Sequence, residues 1–176
     1  MAPSRGHHTI EPVRDVLRTL DGMADRGRLA GMARYAIGTQ GALGITVTEL
    51  RGLARSLGRD HELAGGLWDS EIHEARILAT MIDDPSQVTE GQMEAWVHDL
   101  DSWDLCDQLA GNLFDRTRFA FDKAVEWSAY LHTRAIATAR EIQGIDSRSA
   151  RWIAGDALRE LESAAVRERV GQPTSV

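Results

Sequence analysis

The chain has 176 residues, 43% of them hydrophobic and 27% charged, the balance of a soluble globular protein long enough for one substantial core. Its only cysteine, Cys106, excludes an intrachain disulfide and a thiol metal cluster. The net charge of −7 argues mildly against a nucleic-acid binder, yet a local patch can oppose the average, and 19 of the 20 cations are arginine, which suits bidentate phosphate contacts.

No apolar run approaches the roughly 18–20 residues that span a membrane. The opening "MAPSRGHHTI" lacks the hydrophobic segment of a signal peptide. A cytoplasmic protein is expected, with a flexible tail over 1–10, one domain over 11–170 and a frayed tail "GQPTSV" over 171–176.

In chain order, Val13, Val16, Leu17, Leu20 and Met23 recur at helical spacing. "GTQGALGI" (38–45) reads as loop, and a poor phosphate loop, because it lacks a Gly-Lys-Ser/Thr ending and a preceding strand. In "TVTELRGLARSLG", Thr46 and Glu49 match a capping box ahead of Leu50, Leu53 and Leu57. "DHELAGGLWDS" predicts a short helix ending near Ser70. "EIHEARILATMI" sets Ile72, Ala75, Leu78, Ala79 and Ile82 on one side, and Asp83, Asp84 and Pro85 stop it. "TEGQMEAWVHDL" restarts at Thr89, with Gln92 completing a second box.

Beyond "DSWDLCDQLAGNLFD" lie "RFAFDKAVEWSAYLHTRAIATAREIQG" and "DSRSARWIAGDALRELES". The latter begins at Asp146 or Ser147 and turns Ile153, Ala157, Leu158 and Leu161 inward. The pattern is all-α, and it leaves a closed bundle and a stacked solenoid both open, since no strict repeat is visible.

Residues 101–115 carry the candidate chemistry. At about 100° per residue, Leu105, Leu109 and Leu113 form a core stripe, while Asp104, Gln108, Asn112 and Asp115 form the expected wet face. Asp107 joins neither. It shares a third strip with Trp103, Ala110 and Phe114, one turn from the indole, and a carboxylate on a strip turned from solvent is costly without a polar or cationic partner. It is either a structural group, capping a helix or pairing with an arginine, or a carboxylate that stabilises positive charge on a substrate beside the Trp103 π face.

Other candidates read more simply. Asp101 and Asp104 offset a helix macrodipole. The six histidines show no paired ligand spacing, so no metal site is expected. Cys106 reads as core, and Trp68, Trp96, Trp127 and Trp152 as packing residues. Tyr35, ahead of the glycine-rich loop, either packs into the first hairpin or projects to a surface.

Several segments together resemble the AlkD-type DNA alkylation repair proteins, a family of HEAT-like helical-repeat DNA glycosylases. They are "GMARYAIG", "LGITVTELRGLAR", "DHELAGGLWDSEIHEARILATMIDD", "EAWVHDLDSWDLCDQLAGNLFD" and "SARWIAGDALREL", in an order that covers most of the chain. The resemblance implies a curved α-solenoid of antiparallel HEAT-like or ARM-like helix pairs. It also implies hydrolysis of the N-glycosidic bond of cationic alkylated purines, 3-methyladenine or 7-methylguanine, in duplex DNA, on a base that stays stacked.

By resemblance, Trp103 and Asp107 match the family's catalytic pair and Tyr35 a DNA-contacting tyrosine. Asp107 then stabilises an oxocarbenium ion. No cofactor is implied, no membrane partner is expected, and a monomer is anticipated. Only "AYLHTRAIATAREIQGID" separates Ser128 from Ser147, so roughly 40 residues, about one repeat, are missing relative to the family pattern. Arg134 has the wrong offset from Trp127 to take the family's arginine role. A non-catalytic helical-repeat module binding DNA or a protein partner, its activity lost with that repeat, is the alternative.

Overall fold

The computed structural model describes residues 10–29 and 41–170. Among them all regular structure is helical: α1 (Ile10–Met23), α2 (Val47–Leu57), α3 (His61–Trp68), α4 (His73–Ile82), α5 (Glu90–His98), α6 (Trp103–Asn112), α7 (Ala120–Gln143), α8 (Arg148–Leu161) and α9 (Ala164–Arg169). None of these helices is long and apolar enough to cross a membrane. The chain divides into two compact units, residues 1–118 and 119–176.

The first unit is organised around α4, which packs against α2, α3 and α6 and touches α1. The expected apolar side of α4 is present, with Ala75, Leu78, Ala79 and Ile82 all fully buried. Enclosure goes further than one stripe, because His73, Glu74, Ile77 and Thr80 are buried too. Neighbours on several sides leave this short helix without a wet face, so its polar groups must find partners inside the protein.

Glu74 finds three. Its carboxylate accepts hydrogen bonds from the backbone N–H groups of Leu43 (2.8 Å), Gly44 (2.7 Å) and Ile45 (3.3 Å). The loop ahead of α2 is thereby held against α4 and against the end of the 20s, where the Asp25 N–H donates to the Leu43 carbonyl at 2.9 Å. Gly44 is required there: its φ is +78°, and a Cβ would lie 2.1 Å from the Asp25 carbonyl oxygen.

At the other end of α4, the fully buried Asp83 accepts from Gln92 Nε2 and the Asp84 N–H, both at 2.7 Å, and pairs with His61 Nδ1 at 2.6 Å. This explains a departure at α5. Thr89 caps the helix by accepting from the Gln92 N–H, but the Gln92 side chain turns to Asp83, so the expected second box is only half formed.

The box at α2 is complete, with Thr46 and Glu49 bonded reciprocally and Arg28 Nη1 donating to Glu49 at 2.9 Å. The hydroxyl and N–H of Thr46, with Arg28 behind them, hold the Glu49 carboxyl below its ordinary value of 4.5. Between α3 and α5, Trp68 and Trp96 stack with centroids 4.1 Å apart, and the Arg76 guanidinium lies 5.3 Å from the Trp68 ring centre.

In the second unit α7 and α8 pack together. Ser147 caps α8, as its sequence predicts, by accepting from the Ala150 N–H. The inward stripe is rotated from expectation. Ala154 is buried, with Ala150, Ala157, Leu158 and Leu161 half-buried beside it, while Ile153 and Trp152 are exposed. On α7, the helix that α8 packs against, Ala139 is likewise buried and Ala135 half-buried, so alanines hold enclosed positions on both helices.

Two stability outcomes follow from these contacts. Glu74→Gln puts an amide donor against backbone donors and should lower the unfolding free energy by about 3 kcal/mol; urea denaturation checks this, and a loss below about 1 kcal/mol would contradict the clamp. Thr46→Ala should cost about 1 kcal/mol at neutral pH. Because Glu49 is more acidic folded than unfolded, its share of that loss exists above pH 4.5 and disappears as pH falls through the lower folded value, so the difference between wild type and Thr46→Ala should narrow on acidification.

Candidate nucleic-acid interface

α6 begins at Trp103, and its leucine stripe is as the sequence predicts: Leu105, Leu109 and Leu113 are all buried. The other two strips exchange roles. The expected wet face turns toward α4, where Asp104 Oδ2 sits 2.8 Å from His73 Nε2 and Asn112 Nδ2 donates to Thr80 Oγ1 at 3.0 Å. Asn112 also donates to Gln108 Oε1 at 3.1 Å.

The strip expected to be hidden is the open one. Trp103 is 55% exposed, and Asp107 and Ala110 are exposed, leaving only Phe114 buried. The physical reason is where α4 lies. It covers the Asp104 side of the leucine stripe and leaves the Trp103/Asp107 side to solvent. The desolvation cost foreseen for Asp107 therefore does not arise. Among the described residues Asp107 makes no hydrogen bond or ion pair. Cys106, expected in the core, is exposed as well, because it falls just past the edge of that stripe.

A second feature of the same unit went unread in the sequence. The ends of α2 and α6 and Met81 of α4 bound a cleft of about 340 Å³ lined by Arg51, Arg55, Arg59 and Arg116 together with Asn112. An adjoining cleft shares Arg59 and Arg116 and adds Ser86 and Thr117. Several arginines elsewhere sit against a carboxylate: Arg28 with Asp25 and Glu49, Arg140 with Glu162, Arg151 with Asp146, Arg159 with Asp156.

Arg51 and Arg55 do not. Among the described residues neither has a hydrogen bond or ion pair. Arg59 donates to the Asp83 carbonyl at 2.9 Å, which spends one N–H and leaves its charge, and Arg116 lies 3.6 Å from an exposed Asp115. The only acidic group lining these clefts is Asp84, in the second. The Ser86 N–H and hydroxyl, then Gln87, bond it and hold it below its ordinary range, and the Arg59 charge lowers it further as the last and smallest cause.

The result is a concentrated positive surface on a chain of net charge −7. Its signal in the sequence was Arg51 and Arg55 at i, i+4 on the polar face of α2, without acidic residues at helical spacing to neutralise them. Asn112 joins the cleft to α6, five residues beyond Asp107 and so about 7.5 Å along the helix axis.

Tyr35 lies outside the described residues. Among those described, no group of three or more His, Cys, Asp or Glu side chains could hold a metal ion. Arg134 is exposed on α7, in the second unit.

Comparison with known proteins gives one family match. The family model described as "DNA alkylation repair enzyme" matches residues 16–138. The match takes in α6 with Trp103 and Asp107 and all four cleft arginines, and it ends within α7, before the segment 149–161 likened to a final family helix. No curated protein and no solved structure matches the chain. With 123 of its 176 residues inside that model (16 through 138), the chain belongs to the DNA alkylation repair enzyme family.

Proposed function

We propose that the protein is a DNA glycosylase that releases cationic alkylated purines, 3-methyladenine or 7-methylguanine, from duplex DNA. The observation that carries this reading is Asp107 itself. It is an exposed carboxylate with no partner among the described residues, one helical turn from a half-exposed indole. A structural carboxylate would be spent on a cap or an arginine. This one is left to face a cation from outside the protein.

The chemistry asks for little more. The alkylated base carries positive charge, so it leaves with the electron pair of the C1′–N bond as a neutral purine. Positive charge then develops on the sugar as an oxocarbenium ion. Asp107 stabilises that charge and orients a water whose oxygen bonds to C1′, the released proton passing to solvent. The π face of Trp103 adds a second stabilising contact to the same cation.

Neither residue lines the arginine clefts, and an exposed pair suits a lesion approached on the duplex surface. Arg51, Arg55, Arg59 and Arg116 would hold the phosphates. In that setting Tyr35 would be a further DNA contact, and the protein would act as a monomer in the cytoplasm without a cofactor.

Release of free 7-methylguanine from methylated duplex DNA tests the reaction. Asp107→Asn should lower single-turnover release by about 100-fold or more, the scale of losing one electrostatic stabiliser of the transition state. Equal release by wild type and mutant would remove Asp107 from the chemistry, and no release by folded wild type would leave a module that binds without cutting.

The grip is tested separately on undamaged duplex. Arg51→Gln with Arg55→Gln should weaken binding and flatten the dependence of log K on log salt by about 1.8, two phosphate contacts at about 0.9 each. An unchanged slope would take those arginines off the DNA.

A further inference from the structure

We infer that His73 and Thr80 of α4 form a rotational lock on α6, and that this lock positions Trp103 and Asp107 although neither lock residue touches DNA. The inference rests on the proposed role of those two residues, and it starts from a gap in the packing. Leucines 105, 109 and 113 hold α6 to the core, and apolar contact is non-directional. A helix held by leucines alone tolerates small rotations about its own axis. The usual directional restraint at its start is also missing, since Ser102 makes no side-chain cap hydrogen bond and its hydroxyl is buried without a partner.

Two directional contacts replace that restraint. His73 Nε2 meets Asp104 Oδ2 at 2.8 Å near the start of α6, with His73 only 6% exposed. Thr80 Oγ1 accepts from Asn112 at 3.0 Å at its end, with Thr80 only 1% exposed. The pairs follow one another in the same sense along both helices, so α4 and α6 run parallel and are pinned at both ends.

Other charged groups near these contacts are engaged elsewhere. Glu74, next to His73, is bound to the 43–45 backbone, and the remaining Asp104 oxygen is buried without a partner, which makes His73, among the described residues, the only hydrogen-bonding side chain for that carboxylate.

The pinned strip of 104, 108 and 112 lies about 120° round the helix from Trp103 and Asp107. Rotating α6 by about 10° would swing a side-chain tip about 1 Å at the outer radius of a helix. A misplacement of that size costs on the order of 100-fold in rate. His73, Asp104, Thr80 and Asn112 are therefore positioning residues for the exposed pair.

The test uses Thr80→Val, which removes the hydroxyl at nearly constant volume, and His73→Leu beside His73→Gln, which retains an N–H donor for Asp104. Two quantities are read in each: single-turnover release of 7-methylguanine, and the indole N–H resonance of Trp103, identified as the one absent in Trp103→Phe. The lock requires Thr80→Val to shift that resonance and to lower the single-turnover rate at saturating enzyme by about 10-fold, and His73→Gln to restore most of what His73→Leu loses.

Unchanged rate and unchanged Trp103 resonance in Thr80→Val would overturn it. So would equal shifts at Trp68 and Trp96, which mark general loosening rather than rotation of α6. If folded wild type releases no base, the glycosylase reading falls on its own, and the Trp103 resonance still decides whether α4 sets the orientation of α6.

Discussion

A buried carboxylate, Glu74, sets the terms for the first unit. Three backbone N–H groups converge on it from a loop that would otherwise have to be solvated. Burying an ionised group is tolerable only when its lone pairs are satisfied, so the loop and α4 stabilise each other or neither is stable. Once that pairing is made, α2 is launched from Thr46 at a fixed place and its polar face, with Arg51 and Arg55, is carried to the cleft. Asp83 repeats the device at the far end of α4, gathering His61, Gln92 and the Asp84 N–H. A short helix enclosed on several sides thus becomes the reference against which the surrounding elements are registered.

The polar groups of this unit divide into two populations. Those of α4 are internal and spent: Glu74, Asp83, His73 and Thr80 each have a partner within the protein. Those of α2 and of the open side of α6 are external and unspent, chiefly Arg51, Arg55 and Asp107. A protein that met only water would gain from pairing these cations and this anion with opposite charges nearby. Their separation, cations in a concave cleft and a lone carboxylate beside an indole, is what the proposed function asks for, a ligand that brings both phosphate charge and a cationic base.

Helix boundaries, the complete cap at α2 and the leucine stripe of α6 were legible because they depend on near neighbours in the chain. The side of α6 that meets solvent was not. Asp104, Gln108 and Asn112 look like a wet face to any count of polarity, and only the partners on α4 turn them inward. Asp104 as a macrodipole acid and Asp107 as the awkward carboxylate were plausible by composition, and the assignment of which one is buried depended on a helix some 30 residues away. Ile153 and Trp152 were misplaced for a related reason: the enclosed positions of α7 and α8 include Ala139 and Ala154, and hydrophobicity alone underrates alanine. Trp103 and Asp107 could be singled out through their i, i+4 spacing, whereas the arginine cleft draws on separate segments of the chain and was invisible to a linear reading.

Four bonds between elements of the first unit have nearly the same span. Gly44 to Glu74 is 30 positions, Trp68 to Asp99 and His73 to Asp104 are 31, and Thr80 to Asn112 is 32. The chain shows no repeat of residues at that interval, yet it repeats a connection at it. Each bond closes a loop of modest and nearly equal length, and the entropy of closure rises only slowly with length. Such a molecule need not wait for its last residue before its first contacts form. Each of these four contacts can form once a stretch of about 30 residues has emerged beyond its first partner, a spacing compatible with assembly in the direction of translation.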